Sequence, residues 1–319
     1  MILMDLSLPY KLSVGNKTIV IREPSTPDDY RKLMDVQLEI WGMPDYSEAV
    51  TYHMLIASHR NGGIVLGAFE EPSGRAVGII YTVPAYKDGK LYMYSHLAGV
   101  IPEYRYLGIG KIMKIFQRRI AIEKGYHLIE WTYDPLQSSN AYFNIVKMGV
   151  IVRKFYINYY GELQDEINRG MPTDRFIAEW YIRSPRVKTI IEENEKKTIT
   201  YEKLLELDPH IATNVEIKNN KPILINTSLS NKKDIVVIEI PGDINELKKK
   251  DLELVLDWRI KLRKVFEYYL NTQGYIVTGF ITMVERGLRR SFYILWRRNI
   301  EVILQGHYPW DSIVGEESS

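Results

Sequence analysis

Apolar and polar positions fall into blocks whose spacing changes along the chain, and the spacing predicts the elements. Residues 18–22, TIVIR, form a dense apolar run and read as a strand. Thr26-Pro27-Asp28-Asp29 supplies a capping residue, a proline suited to the first helical position and acids for the first turn, so a helix is predicted as far as Trp41, stopping at Gly42. A second helix is expected around 47–59, ahead of Gly62-Gly63. Strands at 64–69 and 76–83 are joined by Glu71-Pro72-Ser73-Gly74, and Lys87-Asp88-Gly89-Lys90 turns the chain into a strand over 91–100. After the run Arg105 to Gly110 comes a helix whose apolar residues Ile109, Ile112, Met113, Phe116 and Ile120 share one face. A strand at 127–133, a helix holding Asn140 and closing before Gly149, and strands at 151–160 and 175–182 follow.

From about residue 184 the character changes. Residues 186–234 are polar, rich in lysine and asparagine, with only short apolar runs, and the pattern assigns them no single structure. Order returns at 235–240, IVVIEI, then a helix in which Leu254, Val255, Trp258, Leu262, Val265, Phe266 and Tyr269 share a face before Gly274. A hairpin of 275–281 and 291–296 closes the unit. The expected organisation is therefore a domain over 1–184, a polar connecting segment over 185–234 and a smaller α/β domain over 235–319. The fold class is α+β, a mixed but mainly antiparallel sheet flanked by helices.

With 319 residues the chain is long for one domain and comfortable as two. Lys and Arg number 42 against 40 Asp and Glu, a balance that demands neither nucleic acid nor a membrane surface. There is no cysteine, which removes disulfides, thiolate metal sites and a cysteine nucleophile. His53, His59, His96, His127, His210 and His307 show no metal-ligand spacing, so no metal is expected. The amino terminus lacks a basic region and a long apolar core, and no run approaches the roughly 18–20 apolar residues of a membrane span. A cytoplasmic location is the expectation.

The chemistry concentrates at 91–110. Two glycines, Gly108 and Gly110, stand at the mouth of a helix, where uncovered backbone N–H groups and the absence of side chains let a phosphate approach closely. Glycines before a helix are also ordinary turn residues, so the spacing alone leaves both readings open. In context, R-x-x-G-x-G follows a strand ending in V-I-P-E-Y and precedes the strand HLIEWTY and a helix with Asn140, Ala141 and Lys147-Met148-Gly149. This order resembles the GNAT superfamily, the acyl-CoA-dependent N-acyltransferases. The resemblance covers roughly residues 17–183 and is most specific from Val100 to Gly110. A narrower likeness, to long two-domain members, rests on W-T-Y-D-P-L-Q-S, Trp131 to Ser138, and N-Y-Y-G, Asn158 to Gly161.

The resemblance implies a sheet with splayed central strands and transfer of an acyl group, most simply acetyl, from an acyl-CoA co-substrate to a primary amine. It implies that the backbone of Ala98, Gly99 and Val100 meets pantetheine and the thioester oxygen. Arg105, Tyr106, Leu107, Gly108, Ile109 and Gly110 would hold the pyrophosphate, with Lys111 and Asn140 beside them. A lysine-like amine has a pKa near 10.4 and must lose a proton before attack, and a histidine near about 6.5 can take it. His96 lies where arylalkylamine N-acetyltransferases carry a catalytic histidine; a hydrogen-bonded histidine on a sheet face is the other reading. The family commonly places a thiolate-protonating tyrosine four residues before the glycine matching Gly149, and here that position is Ile145. Tyr142, one helical turn earlier, is the candidate acid.

For the acceptor, the connection between the strands at 151–160 and 175–182 brings Tyr160 and Arg175, the latter able to grip a carboxylate in a bidentate manner. Trp131 and Asp134 stand at the end of the preceding strand. A CoA-binding sensor or scaffold without catalysis is an alternative, favoured by Ile145. A second is an acyltransferase acting on protein or tRNA, favoured by Arg286, Arg289, Arg290, Arg297 and Arg298 interleaved with aromatics in the last hairpin. Strand alternation there puts Phe292, Ile294 and Trp296 on one face, which is ordinary core design. Homodimers are frequent in the superfamily, and no residue fixes one here.

Overall fold

The computed structural model describes residues 7–195 and 197–314. Its residues group into two units, Met1–Trp131 with Glu162–Gly170, and Thr132–Gly161 with Met171–Ser319. The fold is mixed α and β, with mainly antiparallel strands flanked by helices.

In the first unit the strands β1 (Tyr10–Val14), β2 (Lys17–Arg22), β3 (Val65–Glu71), β4 (Ala76–Lys87), β5 (Lys90–Val100) and β6 (Leu128–Tyr133) are neighbours in that order; the last two residues of β6 group with the second unit. All pairs are antiparallel except β5 with β6. The first helix, α1 (Pro27–Trp41), has the limits the sequence predicts, because Thr26 and Asp29 form a reciprocal capping box and Gly42 takes the left-handed conformation. The second, α2 (Tyr52–Arg60), starts later than expected. The buried Gln37 side chain bonds both the N–H and the C=O of Val50 and holds that segment out of a helix. The third, α3 (Ile109–Glu123), packs on β3, β4 and β5 through Ile109, Met113 and Phe116.

The helix α3 also buries Lys114, Gln117 and Arg118, which share a face at spacings of three and four.

In the second unit, α4 (Ser138–Ala141) runs into a π-helical turn over Tyr142–Lys147. The remaining strands are β7 (Ile151–Tyr156), β8 (Arg175–Tyr181), β9 (His210–Ile211), β10 (Thr213–Lys218), β11 (Lys221–Thr227), β12 (Ile235–Pro241), β13 (Ile276–Glu285) and β14 (Leu288–Trp296). The sheet order is β8-β7-β13-β14-β12-β9, and β10 and β11 form a hairpin of their own. The helices are α5 (Pro185–Ile191), α6 (Tyr201–Glu206), α7 (Ile244–Lys250), α8 (Leu252–Phe266), α9 (Ile300–Leu304) and α10 (Asp311–Val314). Two expectations change. The strand at 151–160 ends at Tyr156, because Asn158 adopts φ +50 and turns the chain. Residues 185–234, left without assigned structure by their composition, carry α5, α6, β9, β10 and β11. Val187, Ile190, Ile191, Ile199, Leu204 and Leu224 of this segment are buried, while Leu205, Ile211 and Leu229 are exposed.

The core of this unit is aromatic: Phe155, Phe176, Phe266, Phe280 and Tyr293 meet edge to face or tilted at 4.7–6.0 Å between ring centres. The strands β13 and β14 join through the two-residue turn Arg286-Gly287, both at positive φ. No helix among the described residues is long and apolar enough to cross a membrane.

Candidate active site

The strands β5 and β6 pair at two positions, Met93↔Ile129 and Tyr94↔Glu130. Six residues of β5, Ser95 to Val100, run on beyond the last of these pairs, held by β4 on their other side. Past Tyr94↔Glu130 the two strands share no further pair among the described residues. The first residues past the last pair, Ser95 on β5 and Trp131 on β6, are both gripped from α3. Gln117 Nε2 donates to Ser95 Oγ at 2.9 Å, and Lys114 Nζ lies 3.6 Å from the ring centre of Trp131. Lys114 is 4 % exposed, and burial lowers its pKa to about 7.

His96 stands at an irregularity. Tyr81 registers with Leu97 and Thr82 with Ser95, so His96 is the extra residue of a β-bulge. Bulges re-aim a side chain, and the His96 ring meets Tyr81 edge-on at 6.0 Å and Tyr94 at 6.1 Å. The residue is exposed, yet burial lowers its pKa below the usual 6.5. A ring reached by water along one side and walled on the others satisfies both facts. It is neutral at pH 7, the form a general base requires.

At the far end of β5, Ala98, Gly99 and Val100 pair with Ile80, Ile79 and Gly78. A Cβ on Gly99 would fall 2.5 Å from Ile40 Cγ2, so glycine lets α1 approach the strand here. The chain then makes a short turn at Pro102–Tyr104, pinned by Tyr104, whose hydroxyl donates to Glu70 at 2.9 Å and accepts from Lys17 at 2.6 Å. The Arg105 guanidinium donates to the carbonyls of Val100 at 3.2 Å and Ile40 at 2.7 Å, so its side chain fastens the loop. Tyr106 at φ +66 and Gly108 at φ +87 curl the loop into the start of α3. Tyr106 and Leu107 are exposed.

Gly108 is the N-cap of α3, which has no side-chain cap and no acid in its first turn. A Cβ placed on Gly108 meets nothing within 4 Å. The mouth of α3 is thus uncrowded at Gly108 and carries the positive end of the helix, an arrangement that fits a phosphate or pyrophosphate. Ile109 is buried as an anchor, while Gly110 and Lys111 are half-buried. The insertion 162–170 is fixed within this unit by Glu166 N–H on the Gly42 carbonyl and Gln164 N–H on Glu48.

The remaining candidates belong to the second unit. Asn140 is exposed on α4, and Tyr142 is half-buried with Lys147 Nζ 5.7 Å from its ring centre. Ile145 is 2 % exposed and faces a small cavity with Ile190, Phe280, Tyr308 and Trp310. Asp134 accepts from Leu136 N–H through one oxygen and from buried Arg259 at 2.6 Å through the other. Both carboxylate oxygens of Asp134 are thus engaged within the second unit.

Tyr156, Tyr159 and Tyr160 form an exposed series, 5.5 and 4.7 Å apart and nearly perpendicular in turn. Tyr160 shares a 2.8 Å hydrogen bond with Thr132. Arg175 is buried with its guanidinium 5.5 Å from the ring centre of Tyr160 and donates to the Asp174 carbonyl. The Asp174 carboxylate is gripped by Arg263 at 2.9 and 3.0 Å, a partnership 89 positions long that sequence reading misses. Among the described residues no group of three or more His, Asp or Glu is placed to hold a metal.

No family model matches the sequence. No curated protein matches it. Solved structures that do match include Naa50 of Arabidopsis thaliana in complex with a bisubstrate analogue, at 16 % identity over 50 % of this chain and 97 % of that one, with a TM-score of 0.40. The ribosomal-protein-S18-alanine N-acetyltransferase of Escherichia coli matches at 12 % identity over 51 % and 94 %, TM-score 0.40. A mosquito arylalkylamine N-acetyltransferase-like protein matches at 13 % over 50 % and 98 %, TM-score 0.40. At these values the functional reading rests on the residues of this chain.

Proposed function

We propose that this protein is a GNAT-type N-acyltransferase that moves an acyl group, most simply acetyl, from an acyl-CoA to a primary amine by direct attack in a ternary complex. The observation that carries the reading is the continuous path from the bulge at His96, along the end of β5 beyond its pairs with β6, to the uncapped start of α3. The acyl-CoA would supply an activated thioester. The first turn of α3 from Gly108 to Lys111 would bind its pyrophosphate, and the free edge of Ala98 to Val100 would hold its arm. Backbone donors fixed in this way stabilise a developing oxyanion with little reorganisation.

His96 would take the ammonium proton of the acceptor, directly or through water. The amine nitrogen then bonds to the acyl carbon, the carbon–sulfur bond breaks, and the departing thiolate takes up a proton. Tyr142 is the candidate donor of that proton, and Tyr160, Arg175 and Trp131 are the candidates for acceptor recognition.

A CoA-binding sensor without turnover is the second reading, favoured by the buried and apolar surroundings of Ile145. Action on protein or tRNA is a third reading, and two of the five arginines that favour it are taken up by ion pairs within the chain. Arg290 is paired with Glu239 and Glu285, and Arg297 with Asp234, so these cations are already matched.

The test is thermal melting with CoA, acetyl-CoA and succinyl-CoA, followed by thiol release with a panel of amines. A ligand at about 100 times its dissociation constant adds roughly 2.7 kcal/mol. A melting shift with turnover supports the enzyme, a shift without turnover on any amine supports the sensor, and no shift with any donor removes both.

A further inference from the structure

The end of β5–β6 pairing needs a cause, since two parallel strands in register at Tyr94↔Glu130 would otherwise go on pairing. The cause lies under the fork. At the first position past the last pair, each strand meets a polar side chain of α3, Ser95 through Gln117 and Trp131 through Lys114. Gln117 is fully buried, and its Oε1 is a buried acceptor without a partner among the described residues. A buried acceptor left unsatisfied is costly, and burial disfavours the charged form of a lysine. Two costly groups, three residues apart on one helix face, meet the two strands where pairing stops, and apolar side chains would fill that space at lower cost.

We propose that Lys114 and Gln117 are positioning residues, a polar wedge that holds Ser95 and Trp131 apart and so sets the width of the gap receiving the pantetheine arm. The inference rests on the acyl-CoA reading above. Neither residue belongs to the phosphate cradle at Gly108 to Lys111, so the wedge affects one part of the ligand and not the other. Replacing either side chain with an apolar one of similar length lets the strands close past Tyr94 and Glu130, which removes the free edge of β5 and leaves the start of α3 as it was.

The experiment compares acetyl-CoA with 3′-phospho-ADP, which carries the phosphates and lacks the arm, on the full chain and its Lys114→Met and Gln117→Leu variants. Calorimetry is expected to show acetyl-CoA binding at least tenfold weaker in both variants, with 3′-phospho-ADP within twofold of the parent. Acetyl-CoA affinity within twofold of the parent in both variants would overturn the wedge, as would an equal loss for both ligands, the signature of a general structural role. If the parent chain bound neither ligand, the acyl-CoA reading would fall and the wedge with it. Two chemically different variants, each checked for a native melting transition, keep a folding defect in one from deciding the result.

Discussion

The ring of His96 meets the ring of Tyr81 edge-on at 6.0 Å, the two residues lying on adjacent strands at a bulge that gives His96 no partner of its own in β4. Burial holds the imidazole pKa below 6.5. A base with a lowered pKa is neutral at pH 7 and becomes protonated only as the medium turns acid. The expected profile of kcat/KM therefore falls on acidification with a midpoint below 6.5. His96→Ala is expected to lose that limb and about 10²–10⁴ of the rate while acetyl-CoA binding stays close to the parent value. Rates and binding measured from pH 5 to 9 check both; an unchanged limb in the variant would take His96 out of the mechanism.

Lys114 predicts a pH dependence of stability. Its pKa is near 7 in the folded chain against an ordinary 10.5, with burial as the cause. Between these values the unfolded chain carries a proton that the folded chain lacks, so the lysine opposes folding on the acid side and its penalty lifts as pH rises. The slope is up to about 1.4 kcal/mol per pH unit over that window. Urea titrations at pH 7 and 9 are expected to show the chain gaining stability on this account. Lys114→Met removes the contribution and raises stability at pH 7; the same pH slope in parent and variant would refute it.

Gly110 separates folding from binding. It sits in the first turn of α3 at an ordinary φ, and an added Cβ would be 3.8 Å from Val100 Cγ2, an easy contact. Gly110→Ala is expected to leave stability unchanged or raise it by up to about 1 kcal/mol, the helix-propensity difference. If the turn binds phosphate through its backbone, the same methyl group intrudes on the anion and weakens CoA binding at least tenfold. Gly108→Ala acts differently, since φ +87 makes any side chain strained, at about 1–2 kcal/mol. Melting with and without CoA distinguishes the two variants.

These contrasts show what sequence could reveal. The run from β5 through the glycine loop into α3 is local, and so is the Thr26 to Gly42 helix. In both, the signals lie within a few residues of the structure they specify. The bulge at His96 depends on the register with β4, fourteen positions away at Thr82, and no periodicity within β5 reports it. The buried face of α3 was hidden for another reason: Lys114, Gln117 and Arg118 are residue types that sequence logic sends to water. Ile145 could be flagged as a departure from the family pattern, but its burial beside Ile190 and Phe280 depends on a π-helical turn that no residue type announces.

Asp134 shows the same limit across 125 positions and provides a last test. Sequence position at the end of β6 suggested contact with an acceptor, whereas Arg259 holds the carboxylate at 2.6 Å, with the arginine side chain 3 % and the aspartate 15 % exposed. Two guanidinium nitrogens of Arg259 are already buried without a hydrogen-bond partner among the described residues, so the Asp134 charge is what makes the arginine tolerable there. Removing one member of such a pair costs about 3–5 kcal/mol because it strands the other, while replacing both with apolar groups is often near neutral. Asp134→Asn is therefore expected to destabilise by that amount and Arg259→Met by less, because it leaves a carboxylate with the Leu136 N–H and partial access to water. The double variant Asp134→Leu with Arg259→Met should recover most of the loss. If the pair serves only the frame, the KM for the amine should stay within about twofold of the parent value in any variant that folds. A rise of tenfold or more in that KM for Asp134→Asn, with the native melting transition kept, would return Asp134 to the acceptor site.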